Sequence, residues 1–281
     1  MKRTNRDVII IYLVTLRFVR DSESKTRLVA FIFSIMLAML TVIAVSDIPT
    51  SGTAGNFITS KGRFWIAPKG EIVREERAIP GNFSAIQVNA SIPVDVKLSD
   101  KNLVVIEARK DMMPFIYAHL SGVCGTSLWI GQYREPWVNA QEIRITVYCQ
   151  QLPEAFYTSG GAHLTIDGPI KAETLTLGAY GTSNISIKEL ECEELTIRLF
   201  GASSMDIAGS ATSVTGILWG MTRLRASELE VNRVAIQMSK DSRVRFGYIH
   251  EELFVDSPDS FSRLPDSNAL DYRGTPTVTK R

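Results

Sequence analysis

The sequence lacks the short motifs that would assign it to an enzyme class. It has only three histidines and three cysteines in 281 residues, and their spacing matches no zinc site. It contains no phosphate-binding glycine loop and no nucleophile elbow. A formal net charge of +1 gives no reason to expect nucleic acid as a partner. We therefore predict no cofactor, no metal and no nucleic-acid partner.

Acidic residues are present, but they are scattered. Glycoside hydrolysis requires two carboxyl groups close together on one face. Here Asp167, Glu173, Glu189, Glu191 and Asp206 fall on different predicted strands or turns. We predict no catalytic residues and a non-enzymatic protein. A polysaccharide-active enzyme is one alternative, and a structural spacer is another.

From Gly160 onward the chain repeats itself about every twenty residues. An anchor residue, glycine in four of the five repeats, stands four places before an alternating apolar pair. The anchors are Gly160, Gly181, Gly201, Gly220 and Lys240, and the pairs are Leu164/Ile166, Ile185/Ile187, Met205/Ile207, Leu224/Ala226 and Val244/Phe246. Successive anchors are 21, 20, 19 and 20 residues apart. A fixed period in this range predicts a solenoid, in which each repeat buries its apolar face against its neighbours.

A second and a third apolar pair follow the first, the second more weakly where only Ala211 and Ile249 represent it, and the members of most pairs stand two residues apart, which is the spacing of a strand. Turn-forming dipeptides such as Gly168-Pro169 and Gly209-Ser210 separate the first pair from the second. We therefore predict an all-β protein, a right-handed parallel β-helix with about three short strands in each coil of about 20 residues. An antiparallel sandwich is the alternative.

The N-terminal part contains one long apolar run. Residues 28–45 are apolar except for Ser34 and Thr41, and seven basic against three acidic residues precede them. This pattern predicts a transmembrane or signal-anchor helix with residues 1–27 as a cytoplasmic leader. Cleavage after Ala44-Val45-Ser46 is the alternative to retention. Residues 46–71 are predicted to form a flexible tether, and the domain that follows is expected in the periplasm or outside the cell.

The folded domain is predicted to span residues 72–279, with residues 72–157 as N-terminal strands or a cap and residues 158–279 as regular coils. Several of its segments resemble the head-GIN domain family of envelope proteins. They are residues 81–88 (Gly-Asn-Phe-Ser-Ala-Ile-Gln-Val), 93–98 (Pro-Val-Asp-Val-Lys-Leu), 152–154 (Leu-Pro-Glu), 159–161 (Ser-Gly-Gly) and 272–276 (Tyr-Arg-Gly-Thr-Pro). The resemblance covers about residues 77–279. It implies a β-helix in the cell envelope and suggests adhesion.

Three aromatic residues precede successive anchor glycines. If Leu175 and Leu177 point inward, strand parity places Tyr180, Phe200 and Trp219 outward in three consecutive repeats. Contiguous exposed aromatic rings often mark a contact site. We predict that this ladder binds carbohydrate or an envelope protein. Alternatively, the rings pack under the preceding strands or brace neighbouring repeats.

Two further groups of residues are candidates. Arg223, Arg225, Arg243 and Arg245 form a predicted basic patch that could meet anionic polysaccharide or phospholipid headgroups, or be an ordinary solvated face. Cys124 and Cys149 lie near strand edges and could form a disulfide in an oxidising compartment. Cys192 stands at an inward position and is predicted to fill core space.

Overall fold

The computed structural model describes residues 57–60, 63–66, 70–121, 126–133, 137–138, 142–256 and 269–280. These residues form strands and one three-residue 3-10 helix, Met113–Phe115. The strands are β1 (Phe57–Ser60), β2 (Arg63–Ile66), β3 (Ile72–Ala78), β4 (Ala85–Asn89), β5 (Pro93–Leu98), β6 (Leu103–Arg109), β7 (Ile116–Ser121), β8 (Ser127–Gln132), β9 (Trp137–Val138), β10 (Arg144–Cys149), β11 (Ala155–Ser159), β12 (His163–Gly181), β13 (Asn184–Gly201), β14 (Ser204–Gly220), β15 (Arg223–Met238), β16 (Arg243–Asp256), β17 (Leu270–Arg273) and β18 (Thr277–Lys280).

The strands form one small sheet and one large sheet. The small sheet has the order β1-β2-β9, and its first two strands lie within the segment predicted to be a tether. The large sheet has fifteen strands, and its main path runs β17-β16-β15-β14-β13-β12-β11-β4-β8-β7. Antiparallel pairs occur only toward the N-terminal part of this sheet, where β3 pairs with β6, β6 with β10 and β7 with β8.

The five long strands β12 to β16 correspond to the sequence repeats and pair in parallel. Their register places the first residues of the repeated apolar pairs side by side, namely Leu164, Ile185, Met205, Leu224 and Val244. All five side chains are buried. The repeat period of about twenty residues is therefore the sequence separation between residues that pair on neighbouring strands.

The predicted fold class needs correction, because the structure does not show a parallel β-helix with three short strands in each coil. Each repeat is one strand of 14 to 19 residues, and these strands belong to a single large sheet. The dipeptides taken as turns do not end the strands. β12 continues through Gly168-Pro169 and β14 through Gly209-Ser210, with only a register shift in the pairing at those points.

The predicted N-terminal membrane helix also needs correction. In the part of the chain that the structure describes, no helix has the length and apolar character to cross a membrane. Residues 28–45 themselves lie outside the described residues. The described residues are accordingly all-β apart from the one 3-10 helix.

The core forms on one side of the alternating strands. In β12 the residues Leu175, Leu177 and Ala179 are buried, whereas Thr176 and Tyr180 between and beyond them are only half-buried. The same alternation continues in the neighbouring strands, so the buried side chains make one continuous cluster from β4 to β16. Because side chains alternate along a strand, the residues between the core positions form the opposite face.

Buried hydroxyl groups form hydrogen bonds with the backbone at the turns that follow the long strands. The backbone N–H of Tyr180 donates to Ser183 Oγ at 3.0 Å, and Thr158 Oγ1 donates to the same atom at 3.0 Å. Ser183 Oγ in turn donates to the Tyr180 carbonyl at 2.8 Å. Ser239, in the turn after β15, accepts from the Gly220 N–H of the preceding turn at 3.0 Å. These hydroxyls hold the backbone directly beneath the outward aromatic positions.

We expect Ser183→Ala to lower the free energy of unfolding by about 1–3 kcal/mol, because it leaves buried partners without their hydrogen bond. Urea denaturation would measure the loss. Ser210→Ala is the control, since Ser210 is exposed and its replacement should change stability by at most about 0.5 kcal/mol. Equal changes in the free energy of unfolding for the two substitutions would show that the hydrogen bonds of Ser183 do not contribute to stability.

Candidate functional site

The predicted aromatic ladder lies on three neighbouring strands. Tyr180 on β12 pairs in register with Phe200 on β13, and Phe200 pairs with Trp219 on β14. Tyr180 and Phe200 are half-buried, and Trp219 is 44% exposed. The Tyr180 and Phe200 rings stack nearly parallel, with their centroids 5.6 Å apart and an angle of 7° between their planes. The rings therefore form one surface on the side opposite the core.

A fourth ring, which the sequence analysis missed, extends this surface. Tyr157 on β11 lies beside Gly178 on β12. A Cβ atom on Gly178 would lie 2.6 Å from Tyr157 Cδ1 and 3.0 Å from Tyr180 Cε2. Both rings thus occupy the space above this glycine, and a side chain there would displace them. The sequence signal that could have revealed this ring was Gly178, a glycine at an outward position between the aromatic residues Tyr157 and Tyr180.

Exposed aliphatic side chains adjoin the ladder at its other end. Ile217 and Met221 flank Trp219 and are 37% and 72% exposed. They were also missed, although the parity that places Trp219 outward places Ile217 outward as well. Ile217, Trp219 and Met221 make an apolar patch at the end of β14, which is costly to leave in water and typical of a contact surface.

One guanidinium lies among the rings. Arg198 on β13 is exposed, and its register partners are Gly178 and Ile217. Burial raises the pKa of Tyr180, and the Arg198 guanidinium beside it acts in the opposite direction. No carboxylate of the described residues forms an ion pair with Arg198. The aromatic surface therefore carries one positive charge without a neutralising partner.

A second aromatic cluster lies on the same face near the far edge of the sheet. The Tyr117 ring centroid lies 5.4 Å from that of His119 and 5.3 Å from that of Tyr133. Tyr117 covers Gly131, where a Cβ atom would lie 2.4 Å from the tyrosine hydroxyl. His119 pairs in register with the half-buried Trp129. Tyr117 thus covers an outward glycine of the neighbouring strand, as Tyr157 covers Gly178.

Polar side chains connect the two aromatic groups. Gln87 and Asn89 on β4 lie between Trp129 and Gly131 of β8 on one side and β11 on the other, and Ser159 Oγ donates to Asn89 Oδ1 at 3.1 Å. We call the whole surface, from Trp219 on β14 to Tyr117 on β7, the aromatic face. It crosses seven strands, so its six strand spacings of about 4.8 Å give a length of roughly 29 Å.

The four arginines of the predicted basic patch lie together on two adjacent strands, but they differ in charge balance. Arg225 forms a bidentate ion pair with Asp206, and Arg245 lies 3.2 Å from Asp271. The Arg225 guanidinium lowers the pKa of Asp206 and so keeps this carboxylate charged. Arg223 and Arg243, which are paired in register, are exposed and have no ion pair with a described residue. The patch thus presents two unneutralised charges and not four.

An open acidic groove of about 600 Å³ lies over the middle of the long strands. Glu173, Glu191 and Glu230 line it together with Lys171 and His250, and Lys171 forms an ion pair with Glu191 at 2.6 Å. Among the residues that the structure describes, no three His, Cys, Asp or Glu side chains are grouped so that they could hold a metal ion. The groove therefore presents carboxylates, but no arrangement that assigns them a reaction.

The cysteines are buried where they can be described. Cys149 is inaccessible to solvent, its thiol donates to the Lys97 carbonyl at 3.6 Å, and burial raises its pKa to about 11. Cys192 is buried at the floor of the acidic groove. Cys124 lies outside the described residues. Its pairing with Cys149 stays a prediction.

These features are those of an all-β protein with aromatic rings on neighbouring strands of one large sheet. The family model described as "Putative auto-transporter adhesin, head GIN domain" matches residues 82–248, which is more than half of the chain, and the chain belongs to this family. The predicted resemblance is thereby confirmed. Membership fits a non-enzymatic protein of the cell surface or envelope. No curated protein matches the chain.

Solved structures share the fold at low sequence identity. A protein described as a putative adhesin from Bacteroides fragilis is 15% identical with a TM-score of 0.59, and the match covers 76% of this chain and 99% of that chain. A putative adhesin from Parabacteroides distasonis is 14% identical with a TM-score of 0.59, covering 77% and 95%. A putative lipid binding protein from the same species is 12% identical with a TM-score of 0.56, covering 77% and 95%.

Proposed function

We propose that this protein is a non-enzymatic module of the cell surface or envelope and that it binds a carbohydrate polymer along the aromatic face. The observation that carries the proposal is the row of Tyr157, Tyr180, Phe200 and Trp219 on adjacent strands, opposite the core. The stacked Tyr180 and Phe200 rings turn their faces toward each other, so a sugar would contact their apolar edges and the exposed Trp219 ring, and tyrosine and tryptophan add a polar atom at one edge. The scaffold would then serve to hold these rings in line.

The shape of the surface favours a polymer over a single sugar. The aromatic face is roughly 29 Å long, because it crosses six strand spacings. Aromatic rings lie at both ends, and amide and hydroxyl groups lie between them. A chain lying across the strands would meet stacking surfaces and hydrogen-bonding groups in turn.

The family description supports an adhesive role, and an adhesin head requires a contact surface. One structural neighbour is described as a lipid binding protein, which makes lipid the alternative ligand for the same apolar patch. We also propose that the contact domain spans residues 72–279, with the boundary between N-terminal strands and repeats near residue 157. The arginine patch at Arg223 and Arg243 stays a second candidate surface.

We expect Trp219→Ala to weaken polysaccharide binding by about thirtyfold or more, because truncating an aromatic anchor commonly costs 2 kcal/mol or more of binding free energy. Isothermal titration against polysaccharides selected on a glycan array would measure the change. Since Trp219 is 44% exposed, the free energy of unfolding should fall by no more than about 1 kcal/mol.

Tyr248→Ala is the matched control for this substitution. Tyr248 is also 44% exposed but lies away from the aromatic face, beside His250. Its replacement should leave binding unchanged. A large drop in stability for Trp219→Ala without any change in binding would make the ladder a structural brace. Turnover of the bound polysaccharide would instead establish an enzyme, and absence of both binding and turnover would favour a spacer.

A further inference from the structure

The charge on the aromatic face points to a particular class of polysaccharide. Arg198 stands two residues before Phe200 on β13, between the Gly178 position covered by Tyr157 and Tyr180 on one side and Ile217 on the other. It is exposed, so its guanidinium is available to a ligand. Arginine presents several N–H donors in a planar fork that matches the two oxygens of a carboxylate.

The surroundings leave this charge unopposed. The row of register partners that contains Arg198 continues through Ile217 and Gln237 to Asp256. Asp256 is the first carboxylate in that direction, and three strand spacings of about 4.8 Å place it roughly 14 Å away. Its Oδ2 already accepts from Gln237 Nε2 at 3.0 Å. An incoming anion at Arg198 would therefore meet a cation and little repulsion.

We propose that the ligand of the aromatic face is an acidic polysaccharide whose carboxylate groups bind Arg198 while its sugar rings lie on Tyr180, Phe200 and Trp219. This rests on the proposed function and adds the chemical class of the ligand. Neutral polymers would keep the stacking contacts and lose the contact of a carboxylate with Arg198.

The test uses three acidic polymers, alginate, polygalacturonate and hyaluronan, each beside a counterpart whose carboxyl groups have been reduced to alcohols. We expect the protein to bind at least one acid form about tenfold or more tightly than its reduced form, as expected for loss of a charge-assisted hydrogen bond. Arg198→Gln should remove this difference and most of the salt dependence of binding, without changing affinity for the reduced form.

Arg243→Gln is the matched control, because it removes one exposed, unpaired arginine from the basic patch. It should leave the preference for the acid form intact. If Arg243→Gln removes the preference and Arg198→Gln does not, the anion binds the basic patch and the proposal is wrong. Equal binding of acid and reduced polymers would overturn the acidic ligand while the proposed function stands.

Two other results would also decide whether the proposed carbohydrate function is correct. Failure to bind any acid or reduced polymer would remove the proposed carbohydrate function together with this inference. Binding to phosphatidylglycerol vesicles, lost in Arg198→Gln and accompanied by no polysaccharide binding, would assign the same surface to lipid headgroups. A melting curve of Arg198→Gln that matches the unchanged protein would show that each effect comes from the site and not from unfolding.

Discussion

Replacing Gly209 with alanine should destabilise this protein by about 2–6 kcal/mol. Its backbone φ of 127° lies in a region that favours glycine, and holding another residue there costs roughly 1–3 kcal/mol. A Cβ atom would also lie 2.0 Å from the carbonyl oxygen of Leu190 on the neighbouring strand. Relieving that overlap by moving the backbone adds roughly 1–3 kcal/mol. Urea denaturation would show the loss as a lower midpoint.

Gly168→Ala separates these two contributions. Gly168 lies at the register shift of β12, between Ile166 and Pro169, with a φ of 98°. No atom outside its immediate neighbours lies within 4 Å of its Cβ position. Its replacement should therefore cost only the backbone part, roughly 1–3 kcal/mol. If both alanines destabilised the protein equally, the close approach of Gly209 to β13 would have no energetic role.

The second large effect is expected for Phe156→Ala, with a loss of about 3–5 kcal/mol. Phe156 is fully buried in β11, and its register partners are Ile86 on β4 and Leu177 on β12. It thus joins the N-terminal strands to the repeats within one core. Removing its ring leaves a cavity where the two parts meet, and the strands that border it cannot close without breaking their pairing.

Thermal and urea unfolding of Phe156→Ala should be compared with Phe254→Ala. Phe254 lies on β16 and is half-buried on the outward side of its strand, so the same truncation there removes less buried surface and should cost clearly less. A smaller loss for Phe156 than for Phe254 would contradict the continuous core. Loss of the N-terminal strands alone, with the repeats still folded, would show that the two parts unfold separately.

The inward and outward positions of the repeats could be predicted because alternation along a strand is a local property of the backbone. Leu175, Leu177 and Ala179 are buried in the structure, whereas Thr176 and Tyr180 at the alternate positions are half-buried. Gly178, also at an alternate position, is buried because the Tyr157 and Tyr180 rings cover it. The parity that places Tyr180 and Phe200 outward needs no knowledge of the neighbouring strands. It applies equally to Ile217, which stands two residues before Trp219 on the same side of β14.

The strand bounds were predicted less well. Gly168-Pro169 and Gly209-Ser210 have the composition of turns, but backbone pairing with the next repeat continues on both sides of them. Composition reports the preference of a short segment, whereas pairing depends on the strand that lies beside it. The parallel β-helix with three short strands in each coil was therefore the wrong description of these repeats.

Contacts between repeats explain what else the sequence could not show. Arg225 is neutralised by Asp206 and Arg245 by Asp271, and each pair joins residues on neighbouring strands that are distant in sequence. A count of arginines in the sequence contains no information about these partners. The structure leaves two arginines of the patch unpaired, so the surface charge is half of that predicted.

By itself the sequence determined the all-β character, the repeat of about twenty residues, the family and the alternation that separates core from surface, because each depends on local periodicity or on short motifs. The tertiary structure decided which outward residues become neighbours. Register brings Tyr157 over Gly178 and places Arg198 among the rings. These contacts depend on pairing between segments about twenty residues apart, and only the folded sheet brings such segments within contact distance.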